Sequence, residues 1–376
     1  MTPERDVYAE AIEKLGYPGS AAGIKYLKVL FTPEEGKLLL EFIQPSTCKE
    51  AAQRLNMDEK KLQEKLDEFT LRRKLLYHGK TQYIYYLGLH AFFNCVPRLK
   101  DEYVPAGFWP AYAEFRVEET ERMSGRKSSP EVSPTGVPSN RVVPYRLALA
   151  ASPKVRPEQI LWYEDVAQIL RREDIISLTK CDCRRAEHNC ERPLWTCYHF
   201  GPLEGVRDLG NPYCDVKKLS AEEAIAYSDE AERGGLMHLV GNYAEIPERV
   251  MCSCCACCCN VLGPAIASGR LRQLYAPSRY LAVVDTDKCI GCQECVGRCF
   301  FNAVQMRLTT GSKKRKAHIV KENCMGCGSC IVGCKQGAIT LELVRPPEHI
   351  PLQPRVRRPG FYPYGYGSGK PGDGMD

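Results

Sequence analysis

Residues 289–334 read CIGCQECVGRCFFNAVQMRLTTGSKKRKAHIVKENCMGCGSCIVGC, and the rest of the chain is read outward from this stretch. It holds Cys289, Cys292, Cys295 and Cys299, then Cys324, Cys327, Cys330 and Cys334, each set spaced CxxCxxCxxxC. That spacing lets three thiolates close round one face of a four-iron cubane while the fourth reaches across to another cluster. It therefore predicts one [4Fe–4S] cluster on Cys289, Cys292, Cys295 and Cys334, and a second on Cys324, Cys327, Cys330 and Cys299. The copies also agree outside the cysteines: Ile290-Gly291 matches Met325-Gly326, and Phe301-Asn302-Ala303-Val304 matches Gln336-Gly337-Ala338-Ile339. A duplicated unit follows. Two zinc ribbons or a disulfide framework are the weaker readings of the same eight residues.

Over residues 280–345 the pattern resembles the bacterial two-cluster ferredoxins. The resemblance implies a pseudo-twofold ββα-type unit with the clusters buried between its halves. One departure is visible, because Phe300 and Lys335 stand where such ferredoxins usually carry proline after the fourth cysteine. Ligation survives that change, but packing and hydrogen bonding round the sulfurs, which help set the potential, are free to differ.

A chain of 376 residues has room for two or three domains with ordinary cores. Its 21 cysteines are grouped at CxxC-like spacings, which points to metal rather than disulfides and hence to a reducing, cytoplasmic compartment. The first residues, MTPERDVYAEAIEKL, carry charge throughout and no apolar core of a signal peptide. No run of 18 apolar residues occurs, so no transmembrane segment is expected. The net charge of +6 permits an acidic partner without requiring nucleic acid.

The fold expected is α+β in three units: an N-terminal winged-helix domain, a central Cys-rich mixed domain and the C-terminal two-cluster segment. Residues 1–90 form the first. Val7, Tyr8, Ala11, Ile12 and Leu15 recur at helical spacing after Thr2-Pro3 and stop at Gly16. Residues 31–87 carry a pattern that resembles the winged helix-turn-helix domains of bacterial regulators. Helices are expected at Pro33–Ile43, from a Thr47/Glu50 capping box to Leu55, and after Asn56 and Glu59, followed by a hairpin of Leu75–Tyr77 and Tyr83–Leu87. The third helix carries Asp58, Glu59, Glu64, Asp67 and Glu68 against Lys60, Lys61 and Lys65, a balance that opposes phosphate. Protein docking is therefore favoured over nucleic acid, although Arg72, Arg73, Lys74 and Lys80 of the hairpin region leave DNA open. Residues 91–140 read as an aromatic connecting segment ending in a Ser/Pro/Gly-rich linker at 124–140.

Residues 141–279 form the Cys-rich domain. A helix over Glu164–Arg172 and a strand over Ile175–Leu178 deliver Cys181, followed by Cys183, Cys190, Cys197 and Cys214. A helix capped by Ser220 and Glu223 runs to Arg233. Then comes Cys252-Ser-Cys254-Cys255-Ala-Cys257-Cys258-Cys259, too many thiols in one run for a single metal. Cys252, Cys255 and Cys258 lie three apart, with a fourth ligand from Cys181, Cys183, Cys190 or Cys197. This is a candidate third site, for an iron–sulfur cluster or, in the alternatives, a structural zinc or a reactive thiol patch. His188, His199 and His238 read as packing residues. Arg184 and Arg185 are placed to offset the charge of a thiolate-bound group or to be solvated. Residues 311–316, GSKKRK, read as a hairpin tip or a basic dock for a redox partner. The tail, 346–376, is rich in Pro, Gly and Tyr and cannot bury a core.

Taken together, the winged-helix-like start, the CxCR and CxCC blocks and the C-terminal repeat resemble 4Fe–4S dicluster proteins of anaerobes. That resemblance implies low-potential electron transfer, as an accessory subunit or donor of a larger oxidoreductase complex. A redox-sensing regulator and a disulfide or sulfur-compound reductase working at the Cys252 block are the alternatives.

Overall fold

The computed structural model describes residues 6–43, 46–72, 76–78, 83–85, 98–125, 137–200, 208–244, 250–308 and 314–352. Five short helices open the chain: α1 (Val7–Lys14), α2 (Ala21–Leu30), α3 (Pro33–Glu41), α4 (Cys48–Leu55) and α5 (Glu59–Leu71). Side-chain caps set most of their starts. Thr32/Glu35 and Thr47/Glu50 form capping boxes on α3 and α4, while Asp6 and Asp58 accept amide protons at the heads of α1 and α5. The cap of α5 is thus Asp58, whereas the expected cap Asn56 ends α4 in the left-handed conformation at φ 51°. Strands β1 (Leu76–His78) and β2 (Tyr83–Tyr85) pair antiparallel, and the expected turn between them lies outside the described residues.

The aromatic segment after residue 91 is a helix over Phe108–Gly125. Its ring of Phe115 stacks on Tyr26 of α2 at 5.5 Å, with Phe108 and Tyr112 on the same tyrosine. These buried rings close the core of the N-terminal helices, so that core extends well beyond residue 90. Residues 126–136 of the expected linker lie outside the described residues.

The centre of the molecule is a seven-stranded sheet. Its strands are β3 (Asn140–Val143), β4 (Ile176–Lys180), β5 (Trp195–Phe200), β6 (Val216–Leu219), β7 (Met237–Gly241), β8 (Val250–Cys254) and β9 (Tyr275–Ala276), in the order β6-β4-β5-β8-β7-β3-β9. All pairs are antiparallel except β3 with β9. Alternation along the strands sorts the two faces. Val143, Leu178, Tyr198, Phe200, Val240 and Met251 pack beneath the helices Val166–Arg171 and Ala221–Arg233. Val142, Met237, Leu239 and Cys254 face the C-terminal unit and share its core with Tyr280, Leu341 and the repeat cysteines.

In that unit β10 (Tyr280–Val284) pairs with β13 (Ile339–Leu343), and β11 (Val304–Leu308) with β12 (Arg315–Ile319), all antiparallel. Each half therefore runs strand, cysteine loop, short helix, strand, and the halves interlock through their strands. The chain combines helix and sheet as an α+β protein. No helix among the described residues is long and apolar enough to cross a membrane.

Candidate metal centres

The 35-residue repeat is visible in the backbone. Gly291 and Gly326 both have positive φ, and a Cβ would stand 2.4 Å from the Arg315 carbonyl at the first and 2.3 Å from the Tyr280 carbonyl at the second. Two further pairs, Gln293 with Gly328 and Asn302 with Gly337, also share positive φ, so the cysteine loops follow the same path in both copies. That path brings the thiols inward on each side of the unit.

One cavity is lined by Cys289, Cys292, Cys295 and Cys334, closed by Met306, Ala317 and Ile339. The other is lined by Cys299, Cys324, Cys327 and Cys330, closed by Phe301, Val304 and Ile319. Each cavity holds three cysteines of one copy and the fourth of the other. Backbone N–H groups point at the sulfurs: Ala317 donates to Cys289 Sγ and Ala338 to Cys334 Sγ, both at 3.4 Å. The Cys289 carbonyl accepts from Lys316 Nζ, in the described part of the basic run, 314–316. Burial pushes Cys295 up to about 11, Cys327 up to about 12 and Cys330 well above its ordinary value. A metal cluster takes these groups as thiolates, so its binding displaces their protons. Cys292 alone of the eight is exposed, so the first cavity reaches the surface.

In the Cys-rich domain the ten thiols between Cys181 and Cys259 other than Cys214 separate into two groups. Cys190, Cys255, Cys257 and Cys258 bring their sulfurs within 4.8 Å of one another. Cys190 lies 3.8 Å from Cys255 and 3.7 Å from Cys258, and Cys257 lies 3.8 Å from Cys258. The chain turns after β8, which swings Cys257 and Cys258 back over Cys255, and the Asn189 side chain pins that turn by donating to the Cys257 carbonyl at 2.9 Å. Two guanidinium groups attend the quartet. Arg184, 3 % exposed, donates to Cys255 Sγ at 3.6 Å, and Arg192 donates to Cys257 Sγ at 3.5 Å. Although burial pushes the Cys190 thiol up, hydrogen bonds from Arg192 bring it down to about 6.

The remaining six form a string. Cys197 on β5 stands opposite Cys252 on β8, and Cys254 follows on the same face of β8. Hydrogen-bonding contacts continue from Cys252 to Cys254, Cys259, Cys183 and Cys181. Hydrogen bonds from Cys183 and Cys254 hold the Cys259 thiol well below its usual range, and Leu262 donates its N–H to the same sulfur at 3.4 Å. Of the seven candidate residues, Cys190, Cys255 and Cys258 fall in the compact quartet and Cys181, Cys183, Cys197 and Cys252 in the string. Three-residue spacing suggested Cys252 with Cys255 and Cys258, but Cys252 lies in the regular strand while the other two lie in the turn. Sequence reasoning missed Cys254, Cys257 and Cys259 for the same reason, and missed Arg192. Among the described residues no histidine enters either group: His238 contacts Ser253 at 3.0 Å, His199 contacts Thr179 at 3.3 Å, and His188 ends a short helix in the left-handed conformation.

Arg184 and Arg185 lie back to back on the helix Asp182–Glu187, and neither is solvated. Arg185 turns away from the thiols, donating to the Leu99 carbonyl and to Asp101 while stacking over Trp109 at 4.9 Å. It thereby ties the Cys-rich domain to the N-terminal helices.

Residues 284–340 match the family model of the 4Fe-4S dicluster domain. No curated protein matches the chain. The matched segment supports an iron–sulfur protein of electron-transfer type.

Proposed function

We propose that this chain is a cytoplasmic electron-transfer protein whose residues 280–345 hold two [4Fe–4S] clusters and which serves a larger redox complex as donor or accessory subunit. Cys289, Cys292, Cys295 and Cys334 hold one cluster, and Cys324, Cys327, Cys330 and Cys299 the other. The observation that carries this reading is the crossed lining of the two cavities, three cysteines from one copy and one from the other. Bound there, the clusters supply a one-electron relay. The chain's own part is to fix the thiolates and aim amides at the sulfurs, which tunes the potential. Exposed Cys292, with Ile290 and Val296 exposed beside it, marks the side from which a partner exchanges electrons.

The N-terminal unit, read as a winged helix, docks protein rather than DNA. Arg72 supports this: it donates to Glu68 at 2.9 Å and lies over Tyr213 of the Cys-rich domain at 4.9 Å, so one of the four basic residues counted for DNA is already engaged. A second reading is reduction of disulfides or sulfur compounds at the six-thiol string, favoured by the depressed Cys259 thiol. Turnover of polysulfide that is equal in wild type and Cys259→Ala would remove it.

Iron and acid-labile sulfide on anaerobically purified protein test the main reading. About eight irons per chain are expected in the dicluster segment, with Cys292→Ser and Cys327→Ser each disturbing one cluster's EPR signal. Iron near zero, or one signal lost in both variants, would refute it.

A further inference from the structure

We propose that Cys190, Cys255, Cys257 and Cys258 hold a single divalent ion of the zinc type as a tetrathiolate, a structural centre separate from the electron path. Four sulfurs about 2.3 Å from one ion in a tetrahedron stand about 3.8 Å from one another. The three thiol–thiol contacts in the quartet are 3.7, 3.8 and 3.8 Å. Thiolates bound to four different irons of a cubane must stand wider, because the metal–metal spacing is added between them. The chain carries its own standard for the wider case. The eight cysteines of the dicluster segment surround two cavities, yet no other group of three or more candidate ligands among the described residues closes to within 4.8 Å.

Charge supports the same ion. Four thiolates round a divalent cation leave two negative charges, and two guanidinium groups donate to these sulfurs. Arg184 is the stronger witness because it is buried. Its other partners are the Pro193 carbonyl at 2.7 Å, Thr196 Oγ1 at 3.1 Å and the Ser253 carbonyl at 3.2 Å, and the charges nearest it among the described residues are cysteine sulfurs rather than carboxylates. A buried guanidinium needs a counter-charge. Here ionised cysteine sulfur supplies it. A cubane with four thiolates can carry the same net charge, so the spacing, and not the charge, separates the two.

The site also has a structural task. It joins the loop at Cys190 to the turn after β8, and Phe300, next to Cys299 of the second cavity, packs on the buried patch of Cys255, Cys258, Ala231 and Leu236. Arg192 lies over that ring at 5.4 Å. One ion at this point braces the Cys-rich domain against the dicluster segment.

The test is metal analysis of the anaerobically purified full chain, followed by zinc-edge X-ray absorption. The expected result is about one zinc per chain in a shell of four sulfurs at about 2.3 Å. Cys258→Ser should lose that zinc while the iron and the reduced-state EPR signals persist, and Cys252→Ser should keep it. Absence of zinc together with loss of about four irons in Cys258→Ser would overturn the proposal in favour of a third cubane. A shell containing nitrogen or oxygen, or zinc lost from Cys252→Ser and kept in Cys258→Ser, would also overturn it. If Cys258→Ser does not fold, the absorption spectrum of the wild type decides alone. The two-cluster reading fails separately, by its iron.

Discussion

Arg192 and Asp182 show how single residues set the chemistry of the thiol groups. Partners that hydrogen-bond to a metal's ligands typically contribute 10–100-fold in affinity. Arg192→Gln, which removes the charge and shortens the side chain so that it no longer reaches the sulfur, is therefore expected to speed metal loss from the quartet to a chelator by about 10-fold or more. Asp182 is buried between Cys181 and Cys183, with its Oδ1 unpartnered, and burial pushes its carboxyl up to about 7 despite the nearby Arg98 and Arg185. Because the folded value lies above the unfolded one, the native state binds the extra proton between pH 4 and 7. Its stability therefore falls as pH rises through that window, by at most roughly 1.4 kcal/mol per unit. Anaerobic urea unfolding at pH 5.5 and 7.5 should show the decline in wild type, and Asp182→Asn should lessen it, the remainder coming from Glu173, which burial likewise pushes up to about 7. The presence of arginine beside the cysteines was legible in the sequence. That Arg184 faces the thiols and Arg185 faces Asp101 was not, because one helical step divides them.

At the scale of elements, the cysteine loops depend on backbone that only some residues tolerate. A Cβ at Gly326, at φ 67°, would meet Ser278 Oγ at 2.2 Å and the Tyr280 carbonyl at 2.3 Å. The left-handed conformation costs a non-glycine residue about 1–2 kcal/mol, and displacing a carbonyl of β10 adds to it. Gly326→Ala should therefore lose the EPR signal of the cluster bound through Cys324, Cys327 and Cys330 before the other. The capped helices were legible because Thr47/Glu50 and Ser220/Glu223 announce themselves locally, and both boxes form. The helix Phe108–Gly125 was not, because its rings bury against a helix some 80 residues earlier in sequence and its own pattern names no face.

For the whole molecule, two arginines, half-buried Arg298 and buried Arg279, hold the units together. Arg298, beside Cys299, donates to the Glu232 and Arg233 carbonyls at 2.8 and 3.0 Å, capping the helix Ala221–Arg233, and to the Ser329 carbonyl of the other repeat copy at 2.7 Å. Arg279, at the entry to β10, pairs with buried Glu164 at 2.7 Å and donates to the Arg345 carbonyl at 3.1 Å. Removing one partner of such a buried pair costs about 3–5 kcal/mol. Arg279→Met should accordingly lower the anaerobic unfolding midpoint strongly, whereas Arg279→Met combined with Glu164→Leu should recover much of the loss. If the double variant is no better than the single, the cost lies in the lost carbonyl contacts instead.

The sequence alone determined what depends on spacing along the chain: the duplicated cysteine pattern, the capped helices, the mixed α+β character and the concentration of thiols near residues 181–197 and 252–259. Tertiary structure decided what depends on direction in space. It parted Cys252 from Cys255 and Cys258, put Cys190 with a quartet that includes Cys257, and joined Cys181, Cys183, Cys197, Cys254 and Cys259 to Cys252. A strand alternates its side chains between faces while a turn gathers neighbours onto one side. Only the point at which β8 ends fixes which thiols meet.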